Sequence, residues 1–406
     1  MDNKTILDFK NRVGRELNED ILPFWLERSL DGKNGGFIGR MANDLTVIED
    51  APKGLILNAR LLWTFSSVFR WNCDFRCLEL AQRAYEYFVR FFWDGEYGGA
   101  FWLLDAQGRC LDDKKKIYGQ AFCVYALSEF SQAFRCEAAL QRAQNIYRLI
   151  EEYSHDEEGL GYFETCNRDW TLAEDCRLSD KDMNEKKSMN NHLHLLEAYA
   201  NLYRVWKEDS LRRRLLELID IFQQKIFDPA QAHFRHFFNE RWIPQSASYT
   251  FGHDIEGSWL LWKAVEALGD KSLEPKVRKM ALSLADAVFS QGFDADGGLF
   301  YEGERETIID HNKEWWPQAE AVVGLLNAYQ LSSEDKYFHT ARKCWDFIEN
   351  RIVDRQRGEW FWRVSREGTP DESEPKVSEW KGPYHNTRAC LEILRRLQRI
   401  GKGIEP

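Results

Sequence analysis

Apolar positions along this chain recur at helical spacing, and the helical runs come in pairs separated by glycine-aromatic turns. The first run, residues 9–30, places Leu17, Ile21, Leu22, Trp25 and Leu26 three and four apart, the signature of an amphipathic helix. It ends in Asp31-Gly32-Lys33-Asn34-Gly35-Gly36, a cluster of turn formers. A short aromatic strand signal follows at 37–40, and residues 55–70 begin a second helix. The order then repeats. Residues 77–93 read as helix, 95–101 turn into a Phe-Trp-Leu-Leu strand, and 117–134 are helical again. Residues 140–153 lead through a Gly-Leu-Gly-Tyr-Phe-Glu turn to 189–206, and 211–227 lead through an aromatic stretch to a helix entered by His253. Residues 272–291 and 315–329, then 335–351 and 385–400, complete the series.

The period is about sixty residues, and each unit reads helix, hairpin, helix. Six units give about twelve helices. The second helix of each pair is richer in small and apolar residues, among them Ala59, Ala121, Ala126, Ala198, Ala264 and Ala321. The first carries more Lys, Arg and Glu, as in 211–225. That division predicts a crowded inner ring inside a charged outer one. The expected fold is all-α: a closed (α/α)6 barrel with short β-hairpins in the connections, formed by residues 1–406 as a single domain. Pro, Gly and Ser are confined to turns, so no flexible linker is expected.

Composition narrows the function. A hydrophobic content of 44% over 406 residues supplies a large core. The net charge of -11 argues against nucleic-acid or anionic-membrane partners. No apolar run approaches membrane-spanning length, and the first residues have no signal-type apolar segment. The nine cysteines are scattered without a CxxC pair, which predicts reduced thiols and a cytoplasmic protein. A monomer is expected, with a homodimer as the alternative.

Candidate chemistry collects where the hairpins hand over to the second helices. Those junctions carry Arg60, Tyr118, Asn190 with His194, His253 with Glu256, Trp315 with Trp316, and His385. Six repeats offering polar or aromatic groups at one register point to a shared cleft at one mouth of the barrel. His253 and Glu256, three residues apart, share a helix face, so the carboxylate is expected to steady the imidazole. In Met-Asn-Asn-His-Leu-His-Leu-Leu-Glu, Asn190, His194 and Glu197 share a face while His192 points elsewhere, which disfavours a two-histidine metal site. Residues 294–298 resemble half a calcium loop, but Arg305 stands where the closing glutamate belongs, leaving a turn. No phosphate-binding glycine loop occurs, so neither cofactor nor metal is expected.

The runs LNARLLWTFS (57–66), KKIYGQAF (115–122), LSDKDMNEKKSMNNHLHLLEAYANLYRVW (178–206), GHDIEGSWLL, KEWWPQAEA and EWKGPYHNTRACLE strongly resemble cellobiose 2-epimerases, within the wider N-acylglucosamine 2-epimerase superfamily. The resemblance spans nearly the whole chain and implies the same (α/α)6 barrel. It implies a catalytic histidine pair at His253 and His385, with Arg60, His194 and Glu256 in support. Sugar contacts fall on Tyr118, Asp182, Asn190, Trp315, Trp316, Glu320 and Trp380. Gly382 and Asn191 depart from the family pattern without touching those positions. Pro383 sets His385 in the first turn of the last helix.

The implied reaction inverts C2 of the reducing-end sugar of a β-1,4-linked disaccharide through an enediolate. Two bases on opposite faces accomplish this, with Arg60 and His194 holding the developing charge. A mannose isomerase or an N-acylglucosamine 2-epimerase would share the barrel and histidines. A toroid glycosidase would instead need two carboxylates across the bond. Imidazole bases predict a rate that falls below about pH 6.

Overall fold

The structure, a computed structural model, describes residues 2–180 and 182–404. Twelve helical rods alternate between two rings. They are α1 (Asn3–Arg15, continuing through Glu16–Ile21 into Leu22–Arg28), α2 (Leu55–Asn72), α3 (Phe75–Tyr87 with Phe88–Phe92), α4 (Ile117–Phe134), α5 (Glu137–Tyr153) and α6 (Met189–Val205). The second half comprises α7 (Asp209–Ile221 with Phe222–Ile226), α8 (Phe251–Leu268), α9 (Glu274–Ala287 with Val288–Gly292), α10 (Trp315–Ser332), α11 (Asp335–Phe347 with Ile348–Ile352) and α12 (Tyr384–Gly401). Each even-numbered helix packs on its two even-numbered neighbours, and α12 packs back on α2, closing the inner ring. This is the (α/α)6 barrel that the paired periodicity predicts.

The two rings differ as their sequences require. Every residue of α4 from Ile117 to Ser131 is buried, as befits a helix that is apolar all round. In the outer α5, burial is confined to Ala139, Ala143, Ile146, Tyr147 and Ile150, a single three-and-four stripe. Five outer helices contain a π-helical segment, and in α3, α7, α9 and α11 it forms the last turn. The wider π turn carries one extra residue, which apolar periodicity does not signal.

Hairpins are shorter than the aromatic runs suggest. The expected strand at 37–40 is a single bridge, Leu30 with Phe37, and the same bridge recurs as Trp93–Ala100, His155–Tyr162, Phe293–Leu299 and Val353–Trp360. Two side-chain devices fix these hairpins to the inner helices. In four repeats a buried lysine two residues before the inner helix reaches an aspartate in the turn: Lys53–Asp31 (2.7 Å), Lys115–Asp94 (2.9 Å), Lys187–Asp156 (2.7 Å) and Lys313–Asp294 (3.0 Å). Forming such a buried pair adds little net stability, whereas removing one partner leaves an uncompensated charge and is costly.

The second device lies at the fourth residue of the inner helix. Gln120 brackets Ala100, accepting its N–H (2.9 Å) and donating to its C=O (2.8 Å), and Gln318 does the same for Leu299. His192 accepts from Tyr162 N–H (2.9 Å), and Asp254 from Phe234 N–H (2.8 Å). Close approach demands glycine at Gly99, which has φ +69° and where a Cβ would lie 2.7 Å from Trp170 and 2.9 Å from Gln120. No helix of the described residues is long and apolar enough to cross a membrane.

Candidate active site

The N-terminal ends of all six inner helices open onto one cavity of about 490 Å³, which contains Arg60, Tyr118, Asn190, His194, His253, Glu256, Trp315, Trp316 and His385 in its wall. Asp182 and Trp380 complete the rim from connecting loops. That volume falls in the range of roughly 300–1,000 Å³ typical of small-molecule sites. A second hollow of about 550 Å³ adjoins it and shares Trp380. The register behind this convergence is simple. Tyr118, Asn190, Trp316 and His385 are each the second residue of their helix, at the rim, and Arg60, His194, Glu256 and Glu320 are each the sixth, one turn deeper.

Trp316 links the two histidines expected to do the chemistry. Its ring centre lies 4.8 Å from that of His253 and 5.5 Å from that of His385. His385 Nδ1 is 2.8 Å from Glu320 Oε1, and its Nε2 stands 3.5 Å from Arg60 Nη2. Arg60 also donates to Tyr118 Oη (3.1 Å) and to the backbone carbonyl of Trp380 (2.7 Å). His194 Nδ1 meets Glu197 Oε2 at 3.1 Å. His253 Nδ1 meets Thr250 Oγ1 at 2.6 Å.

Two sequence expectations are corrected here. Glu256 does not steady His253; it lies one turn deeper and binds Arg388 of α12. A guanidinium is a stronger partner for a buried carboxylate than a neutral imidazole, so the shared helix face does not become a contact. Glu320 does not line the cavity: it is fully buried behind His385, against His385 Nδ1 (2.8 Å), and accepts from Arg388 (2.8 Å) and from Trp259 Nε1 (3.1 Å). The other expected site residues reach the cavity. Asp182 Oδ2 accepts from Ser179 N–H (2.8 Å) and holds the loop at the rim. His192 is turned outward onto Ser188 and the hairpin, and burial pushes it down to about 3, so it is a neutral structural imidazole.

Burial also sets the charge of the working groups. His253 is held well below the ordinary imidazole value by burial, reinforced by His236 and His194. His385 is likewise lowered by burial, then by Arg60 and Arg388. Both are therefore neutral near pH 7. Glu256 is pushed up to about 7 by burial and by the neighbouring Glu320, despite Arg388. Burial opposes ionisation of Glu197 as well, but Arg388 and His194 outweigh it and hold Glu197 down to about 2. Asn190 Oδ1 and Glu256 Oε2 are buried without a protein partner, so two polar atoms of the wall are left for a polar ligand.

Sequence reasoning missed Arg388, Thr250 and Tyr384. Arg388 binds Glu197, Glu256 and Glu320 together, and Tyr384 donates to Glu197 (2.6 Å). Four residues after an inner-helix start, Arg388 sits close to the register that produced Arg60 and His194. A count to the sixth residue lands on Ala389, one past Arg388, so the register alone does not single it out.

The chain matches the family N-acylglucosamine 2-epimerase (GlcNAc 2-epimerase) over residues 36–389. It is 42% identical to a protein named cellobiose 2-epimerase from Bacteroides fragilis, covering 95% of this chain and 98% of that relative. Among solved structures, cellobiose 2-epimerase from Bacillus thermoamylovorans superposes with a TM-score of 0.91 at 38% identity, covering 96% of this chain and 99% of that one. A D-mannose isomerase shares the fold, with a TM-score of 0.81 at 21% identity over 97% of this chain and 98% of that one. The chain belongs to the N-acylglucosamine 2-epimerase family.

Proposed function

We propose that this protein is a carbohydrate epimerase that inverts C2 of the reducing-end sugar in β-1,4-linked disaccharides such as cellobiose, lactose or mannobiose. The observation that carries the reading is the pair of neutral histidines placed against one tryptophan in a single cavity. Similarity along the whole chain to proteins named cellobiose 2-epimerase supports the disaccharide.

The chemistry follows from what the wall offers. In the open-chain sugar the C1 aldehyde makes the C2 hydrogen acidic, because its loss gives an enediolate. His385 suits the first step: Glu320 accepts its Nδ1–H, leaving Nε2 as a lone-pair base toward the cavity. His253, across Trp316, returns a proton to the opposite face, and the reverse direction exchanges the two roles. The enediolate carries negative charge on O1 and O2. Arg60, whose guanidinium lies 3.5 Å from His385 Nε2, is placed to meet that charge, with His194 two repeats further round. Trp316, Trp380 and Trp315 give flat apolar faces for the sugar rings, and Tyr118, Asn190 and Asp182 supply hydroxyl partners. All nine cysteines are free thiols, which fits work in a reducing cytoplasm.

Incubation with cellobiose, lactose, mannobiose and mannose, followed by product chromatography, tests this. The expected products are the C2 epimers of the disaccharides with the linkage intact. Release of monosaccharides, or turnover of mannose alone, would reject the assignment.

A further inference from the structure

Beneath the two histidines lies a cluster that the reaction scheme leaves without a task. Arg388 is almost fully buried and stands outside the wall of the catalytic cavity, bordering instead a hollow of about 50 Å³ toward the other end of the barrel. Three carboxylates from three inner helices converge on it: Glu197 of α6, Glu256 of α8 and Glu320 of α10. The Tyr384 hydroxyl and the Trp259 ring complete its surroundings.

We propose that Arg388 is a positioning residue of the reaction: by holding Glu320 as a carboxylate against His385, it keeps the imidazole proton on Nδ1 and leaves Nε2 as the base facing the substrate. This rests on the reading of His385 as a base.

The hydrogen bonds of Glu320 carry the argument. Its Oε1 accepts from Arg388 Nη2 and lies against His385 Nδ1, both at 2.8 Å, and its Oε2 accepts from Trp259 Nε1 at 3.1 Å. Three donors surround the group, and hydrogen bonds of this kind are strongest to the ionised carboxylate. Burial raises Glu320 above the ordinary carboxylate value even with Arg388 in place, and Arg388 is the strongest influence holding it down. Without the guanidinium, Glu197, Glu256 and Glu320 would share a closed space. Tyr125, Tyr384 and His194 border that space too. Glu320 would then take up a proton and turn its O–H toward His385 Nδ1. The imidazole proton would move to Nε2, and the base would be lost while the cavity kept its shape. Arg60, His194 and His253, the other titratable groups facing His385, lie on the substrate side and do not replace that hydrogen bond.

The test reads the tautomer directly. In protein labelled with 15N-histidine, His385 is assigned by the signals lost in His385→Asn, and its two nitrogens are distinguished by chemical shift. The wild-type protein is expected to show a protonated Nδ1 and an unprotonated Nε2. Arg388→Met is expected to move the proton to Nε2 and to lower kcat at least about a hundredfold with KM changed by less than about threefold. Arg388→Lys, which keeps the charge but loses the fork, and Glu320→Gln carry the same test should the methionine variant not fold; each is expected to lower kcat with the tautomer disturbed. Millimolar guanidinium is expected to restore part of the activity of Arg388→Ala. A wild-type His385 protonated on Nε2, or Arg388 variants with unchanged tautomer and kcat, would overturn the proposal. A protein with the expected tautomer that epimerises no disaccharide would instead sink the functional reading and leave the role of Arg388 standing.

Discussion

His253 and His385 are held by different partners, a hydroxyl and a carboxylate, and both are kept neutral by burial. Replacing either with Asn is expected to cost a factor of at least about a thousand in kcat, with the double variant little worse than either single one. Substantial activity in His385→Asn would remove the two-base scheme. The pH profile follows from the direction of the shifts. A lowered imidazole value keeps the base form to lower pH, so the histidine limb lies below the value of about 6 that unperturbed imidazoles suggest. A change near pH 7 has two sources in the cavity wall, Glu256 and Glu314, both pushed up to about 7, chiefly by burial. A limb lost in Glu256→Gln belongs to Glu256 and one lost in Glu314→Gln to Glu314; a limb near 7 that survives in both variants would contradict the assignment. At this scale Arg60, His194 and the histidine pair were legible from their register. The true partners of Glu256 and Glu320 were not, because Arg388 arrives from a helix far away in sequence.

At the scale of elements, alternating apolar periodicity located all twelve helices, since inner and outer helices differ so plainly in which faces are apolar. Their ends were less legible: the π-helical turns add a residue that no pattern announces, and in five repeats the hairpin after the outer helix opens on a single bridge rather than a strand pair. The devices that orient the inner helices are individual side chains, and they make a clear prediction. Lys53, buried against Asp31 at 2.7 Å, also donates to Gly35 C=O at 2.7 Å. Lys53→Met leaves a largely buried carboxylate without its cation, and is expected to cost about 3 kcal/mol in denaturant unfolding. Adding Asp31→Asn should recover part of that loss. A single variant as stable as the parent would show that this pair does not fix the register of α2.

For the molecule as a whole, ring closure turns six repeated junctions into one cavity with a wall from every repeat. Repeat count made the barrel legible, but the size and direction of the cleft depend on loops such as those carrying Asp182 and Trp380, which no period predicts. Because Trp380 joins the catalytic cavity to the adjoining hollow, disaccharides are expected to exceed mannose in kcat/KM by well over tenfold. Equal values would favour a mannose isomerase.

The central claim is proton transfer at C2 through two histidines, and reaction in D2O tests it most directly. Each histidine exchanges its proton with solvent through the open cavity, so NMR of the epimerised disaccharide should show deuterium at C2 and an intact glycosidic bond. Product that consistently keeps its original hydrogen at C2 would mean that these histidines do not carry the reaction.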